Sequence, residues 1–225
     1  LYVLMLCLAA AFLVYLAVLM PTLNPTTYLL FLKSRGMLDS GRNQEAIMAA
    51  VKVLDKEPSF YEAHKIIADA YHRLGDTESA IRSYFDYAMY SERNNNKKDL
   101  ADAYISIGWL YHLKGEYLKA RTFYEKAIAI SRGNKDPLNE AKAIRKIAVW
   151  HMDNQDYDKA LELLTKSSEI NHERMFLPAH KYNLACDYFD IGLVFSNKED
   201  YDSAKKFYEK SGRIFKDLKL STEMS

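Results

Sequence analysis

The sequence is short of the residues that build turns, staples and reactive loops: 8 glycines, 5 prolines and 2 cysteines in 225 positions. Cys7 and Cys186 are too far apart in sequence, and too few, for a disulfide framework or a cysteine metal knuckle, and they leave the redox compartment open. Gly36, Gly41 and Gly75 are solitary, so no glycine-rich phosphate loop exists. There is no His-Glu-x-x-His run, and Cys186 has no patterned base beside it, which excludes the common hydrolytic and nucleophilic arrangements. Charge of one sign is also lacking. The 31 basic and 30 acidic residues leave +1, without the basic excess that marks a nucleic-acid surface. No catalytic residue, metal, cofactor, small-molecule substrate or nucleic-acid partner is expected, and the chain reads as a non-enzyme.

Charge is absent from the first 32 residues altogether. Residues 1–20 read LYVLMLCLAAAFLVYLAVLM, and a helix of that length spans about 30 Å, the thickness of a bilayer core. Pro21 and Pro25 would end it, and Tyr28 lies where an interfacial aromatic serves. A signal peptide would want a shorter apolar run and a small-residue cleavage site, and a lipoprotein anchor a small residue before Cys7 where Leu6 stands. A buried core helix is the third alternative. The reading is a single-pass transmembrane helix over 1–20 contacting the lipid bilayer, a linker over 21–26, and the rest of the chain on its C-terminal side. Lys33, Arg35 and Arg42 form only a weakly basic flank, which leans towards the non-cytoplasmic (periplasmic) face.

What is abundant is tyrosine, 17 residues, and it recurs at intervals. The segments GRNQEAI, GDTESAI, GEYLKAR, NQDYDKAL and EDYDSAK align to place Ala46, Ala80, Ala120, Ala160 and Ala204 in one column. Upstream of them fall Lys33-Ser34, Ile67-Ala68, Ile107-Gly108, Ile147-Ala148 and Ile191-Gly192. Met37, Tyr71, Tyr111, His151 and Phe195 form a second column, and Ala50, Tyr84, Tyr124, Leu164 and Tyr208 a third. A large residue, a small residue, an aromatic, a turn glycine, an alanine and a late aromatic, in that order, resemble the tetratricopeptide repeat (TPR). The repeats read as 27–60, 61–94, 101–134, 141–174 and 185–218, with a tail over 219–225. Insertions fall between them, where Pro137 and Pro178 suit the first turns of lengthened helices. Their long period is similar to kinesin light-chain-like arrays. The resemblance implies an all-α fold: a right-handed α-solenoid of five helix-turn-helix hairpins, each too small to bury its own apolar face and stabilised by its neighbours.

In such arrays the first helix of each hairpin lines a concave groove. The resemblance therefore assigns a partner-binding groove to Lys65, Asp69, His72 and Arg73, then Ile105, Trp109, His112 and Leu113, then Arg145, Val149, Met152 and Asp153, then Phe189, Leu193, Ser196 and Asn197. It is cationic and mixed towards the N-terminal end and more apolar beyond. Trp109 is the preferred anchor, the alternative being that it packs on a neighbouring helix. Lys65 and Arg73 echo the carboxylate clamp of chaperone-tail-binding relatives, but Asp69 stands where the clamp wants asparagine and would repel a carboxylate. His72 and His112 share a column without an evident third metal ligand. His151 reads as a hydrogen-bonded packing residue, and His64, His172 and His180 as ordinary positions. Only KLSTEMS follows the last hairpin, so Phe207, Ile214 and Phe215 are expected on an exposed terminal face.

These features imply a non-catalytic, membrane-anchored protein–protein interaction scaffold, a structural or assembly subunit of a multiprotein membrane complex. The alternative is a membrane-bound sensor whose array binds a peptide or protein signal. The alanine column makes one prediction directly: Ala120→Leu overpacks the helix crossing and lowers stability by about 1–3 kcal/mol in urea denaturation.

Overall fold

The computed structural model describes residues 24–223. Among the described residues there are ten α-helices and no strands: α1 (Pro25–Asp39), α2 (Asn43–Lys56), α3 (Glu62–Arg73), α4 (Thr77–Arg93), α5 (Lys97–Leu113), α6 (Tyr117–Gly133), α7 (Pro137–Asp153), α8 (Tyr157–His172), α9 (Pro178–Asn197) and α10 (Tyr201–Glu223). The chain divides into two compact units, with the boundary within α4 between Ser83 and Tyr84. The transmembrane segment read over 1–20 lies outside the described residues. Among those described, no helix is long and apolar enough to cross a membrane. The single-pass, periplasm-leaning localisation is therefore corrected: every described helix carries charged side chains within it, at a density a bilayer core does not tolerate.

One turn chemistry repeats through the chain. The second residue after each first helix adopts positive φ: Gly41 at 76°, Gly75 at 82°, Gly115 at 76°, Gln155 at 60° and Glu199 at 61°. The next backbone N–H then donates to the carbonyl five residues back, as Asp76 to Tyr71, Glu116 to Tyr111, Asp156 to His151 and Asp200 to Phe195, at 2.9–3.0 Å. This is the Schellman closure of a helix C-terminus. The donor is usually also the N-cap of the following helix: Asp76, Asp156 and Asp200 accept the amides of Ser79, Lys159 and Ser203. One residue stops a helix and starts the next, so the chain must reverse within three residues.

In the first unit α1 pairs with α2, and α3 packs on both. Its core gathers Met37, Leu38, Ala46, Val53, Phe60, Ile66 and Ile67. The small column here holds Ser34, fully buried, whose hydroxyl donates back to the Phe31 carbonyl at 2.7 Å and so loses nothing by being polar.

In the second unit the hairpins are α5–α6, α7–α8 and α9–α10, and the first helices α5, α7 and α9 are neighbours. The hairpins α5–α6 and α9–α10 close on a contact that a side chain would block, while α7–α8 admits the single methyl of Ala148 in that column. A Cβ added at Gly108 would meet the Tyr124 ring at 2.6 Å and the Ala120 carbonyl at 3.1 Å; at Gly192 it would meet Tyr208 at 2.8 Å and the Ala204 carbonyl at 3.3 Å. The aromatic column stacks inside the same hairpin, Tyr111 on Phe123 and Phe195 on Phe207, both at 5.6 Å. Pro137 and Pro178 open α7 and α9 in their first turns. His151, in the aromatic column, lies 2.9 Å from the N-cap carboxylate of Asp156.

The turn separates conformational strain from crowding. A Cβ at Gly115 would meet nothing within 4 Å, so its constraint is φ alone. Gln155→Gly is expected to raise stability by about 0.5–1 kcal/mol and Gly115→Ala to lower it by about 1 kcal/mol, both read from thermal unfolding.

Candidate functional site

Within the second unit, α5, α7 and α9 lie side by side and present their corresponding columns together. Trp109 on α5 is half-buried. His112 stacks on its ring at 5.2 Å and 12°, and the Lys146 ammonium of α7 sits 3.5 Å from the ring centroid. Burial, reinforced by the neighbouring Arg145 charge, pulls the Lys146 ammonium down to about 8. His112 is buried, and its Nε2 lies 3.0 Å from the Asp153 carboxylate. Burial lowers its pKa; Asp153 opposes that shift and Lys146 adds to it. Lys142 reaches Asp102 at 3.6 Å along the same face.

The junction of α7 and α9 is polar to its centre. Asp187 is fully buried, and Ser167 and Asn171 donate to its two carboxylate oxygens at 2.9 and 2.8 Å. Asn171 in turn meets His180 Nδ1 at 2.9 Å. Arg145 lies between two acids, 3.3 Å from Asp190 and 3.9 Å from Asp187. Burial pushes the Asp187 carboxyl up to about 7 against the pull of Asn171, Arg145 and Ser167. Among the described residues no group of three His, Cys, Asp or Glu is disposed to hold a metal.

The expected groove residues separate into classes. Trp109, Arg145 and Val149 share the half-buried face, while Phe189 and Leu193 on α9 are 51% and 37% exposed. Ile105 and Met152 are corrected to core positions: Ile105 packs with Ala127 and Ala143, Met152 with Ala148, Ala160 and Leu164, because the following helix covers them. In the first unit, Lys65, Asp69 and His72 are partly buried on α3, and Arg73 donates to the Leu38 carbonyl. That bond ties Arg73 to the preceding hairpin and removes it from any carboxylate clamp. On the last hairpin Phe207 is half-buried against Tyr188 and Phe195, Ile214 is partly buried, and Phe215 stands more open, edge-on to Tyr182.

Lys146, Asp187, Asp190, Asn171 and His180 were not expected. Asp187 had a readable signal. It occupies the column of Ala63, Ala103 and Ala143, all fully buried, so an acid there had to be buried and hydrogen-bonded. His180, read as an ordinary position, is buried in that network.

Two family models, both described as tetratricopeptide repeat, match residues 32–96, and 101–134 with 188–217, together more than half of the chain. The chain belongs to the tetratricopeptide-repeat family. Among curated proteins this TPR chain is similar to the Photosystem I assembly protein Ycf3 of Synechococcus elongatus, 25% identical over 121 residues. That match spans 54% of this chain and 66%, just under two thirds, of the relative's length. Several solved structures share the fold. BtubC from P. vanneervenii has a TM-score of 0.65 at 15% identity, covering 83% of this chain and 78% of that one. PilF of Pseudomonas aeruginosa gives 0.63 at 16%, covering 83% and 75%. MamA gives 0.53 at 23%, covering 82% and 95%.

The Asp187 network carries a pH signature in this TPR chain. Its folded value of about 7 stands above the ordinary 3.8, so its contribution to stability is full below about pH 4 and is lost as pH rises through about 7. The stability advantage of the native chain over Asp187→Asn, from urea denaturation, is expected to shrink between those limits by about 1.4 kcal/mol per pH unit. A pH-independent difference would show that Asp187 does not titrate there.

Proposed function

We propose that this chain is a non-catalytic scaffold that holds a protein partner on the face made by α5, α7 and α9 and serves the assembly of a multiprotein complex. The single observation behind this is the make-up of that face. It combines a half-buried indole between a histidine and a poorly solvated lysine with exposed Leu113 one turn along α5 and exposed Leu193 at the matching register position of α9. Rigid aromatic and aliphatic groups rimmed by charge suit recognition of a partner helix or extended segment, whereas chemistry would need a nucleophile–base pair. The similarity to a Photosystem I assembly protein agrees with such work. Within the first unit, Lys65, Asp69, His72 and Arg73 on α3 form a proposed contact set of their own, and the five-hairpin register starting at 27, 61, 101, 141 and 185 belongs to the same reading.

Lys146 makes Trp109 a stronger anchor for acidic or polar-backed segments than an open indole would be. The ammonium already covers one region of the ring, so a partner reaches the rest and the cation together. Crosslinking with mass spectrometry in native extracts identifies the partner and the face it touches. Trp109→Ala is then expected to weaken binding by about 2 kcal/mol, roughly 30-fold in Kd, with stability reduced far less. Unchanged affinity with lost stability would assign Trp109 to packing and overturn the site.

A further inference from the structure

The last hairpin carries a cleft of about 520 Å³ lined by Ser196, Tyr201, Ala204, Lys205, Tyr208 and Glu209. The repeat register maps these six onto His112, Tyr117, Ala120, Arg121, Tyr124 and Glu125 of the hairpin α5–α6. There the same cleft is filled. Helix α7 lies on it, Tyr124 is 1% exposed, and the Arg121 guanidinium sits over the Trp150 ring at 5.8 Å. On the last hairpin Tyr208 is only half-buried and Tyr201 is 66% exposed, and no described helix covers them.

The covering helix uses three register positions, and both junctions of the second unit agree on them. On α7 they are Ala143, packed with Ile105 and Ala127, Lys146, over Trp109, and Trp150, beneath Arg121. On α9 they are Asp187, bonded to Ser167 and Asn171, Asp190, paired with Arg145, and Val194, in the core with Leu164. The same positions of α1 in the first unit are Leu29, Leu32 and Gly36. Leu29 is 65% exposed, Leu32 is 41% exposed, and a Cβ at Gly36 would meet nothing within 4 Å. The first helix thus offers an apolar stacking face in the register that the terminal cleft receives.

We propose that the chain associates head to tail with a second copy of itself, the Leu29–Leu32–Gly36 face of α1 in one molecule seating in the Tyr201–Lys205–Tyr208 cleft of the next. The two surfaces differ, so the contact is heterologous and does not close on itself as a two-fold dimer would; it extends the repeat stack from molecule to molecule. Gly36 is small where α7 has Trp150, which leaves room for Lys205 in place of Arg121. By the same register Leu29 then meets Phe189, the counterpart of Ile105, and Leu32 meets Leu193, the counterpart of Trp109, removing these exposed apolar groups from water.

Sedimentation velocity on the full chain, across low to high micromolar concentration, tests this. The expected result is a weight-average mass that climbs with concentration past twice the 26.0 kDa of one chain. Leu29→Asp/Leu32→Asp blocks one surface, and Tyr201→Asp/Lys205→Glu blocks the other. Each variant, with helicity checked by circular dichroism, is expected to be monomeric alone. Mixed, the two retain one compatible pair of surfaces and should form a 1:1 complex that grows no further. A native chain that stays monomeric throughout overturns the proposal. So does association that either variant leaves intact, or a mixture that stays monomeric. None of these readouts involves Trp109 or a foreign partner, so they are independent of the scaffold reading.

Discussion

The close approach of the two helices in each hairpin is the constraint on which the rest depends. At Gly108 and Gly192 the backbone comes so near its partner helix that a single added carbon would overlap a tyrosine ring, and Ala120 and Ala204 supply the other side of each crossing. The tyrosine is what makes the approach useful. Its ring edge fills the space the missing side chain leaves, burying apolar surface where two backbones cross. Remove the small residue and the ring must move; remove the ring and the crossing holds a void. The tight turn follows from the same geometry, since helices this close are joined by only a few residues. Gln155 and Glu199 accept a left-handed backbone there although glycine would hold it with less strain.

That repetition frees the first helices to vary on their remaining faces, where the second unit does its distinctive work. One junction is built from Trp109, His112 and Lys146, the next from Arg145, Asp187 and Asp190. The first places a cation on an indole near the surface. The second places a carboxylate fully inside, with both oxygens hydrogen-bonded. A buried acid of this kind contributes little net stability but penalises wrong packing, because any other arrangement leaves it without its donors. The network thus ties α9 to one seat on α7 and α8, and through it sets where Phe189 and Leu193 are displayed.

Much of this was legible in the chain. The alanine column appears at the crossings as read, with Ala46, Ala80, Ala120 and Ala160 almost fully buried and Ala204 nearly so. Glycine-small alternation and late tyrosines show because close packing admits few residue types. The groove was less legible. Ile105 and Met152 belong to groove columns by register, yet both are core, because the following helix reaches further over them than register alone reveals. Arg73 looked like a clamp residue and instead holds the backbone of the preceding hairpin. The membrane reading rested on residues 1–20, and no described helix supports it.

What the sequence determined by itself is the repeating unit: small residues, aromatics and turn positions occur at fixed spacing because each hairpin must satisfy the same local geometry. The tertiary structure decided which side chains meet across hairpins. Lys146 finds Trp109, and Asp187 finds Ser167 and Asn171, through contacts that depend on how far one helix slides over the next. Periodicity reports a helix's own faces, since those follow from 3.6 residues per turn. The neighbour that covers each face depends on packing between hairpins, which only the folded chain displays.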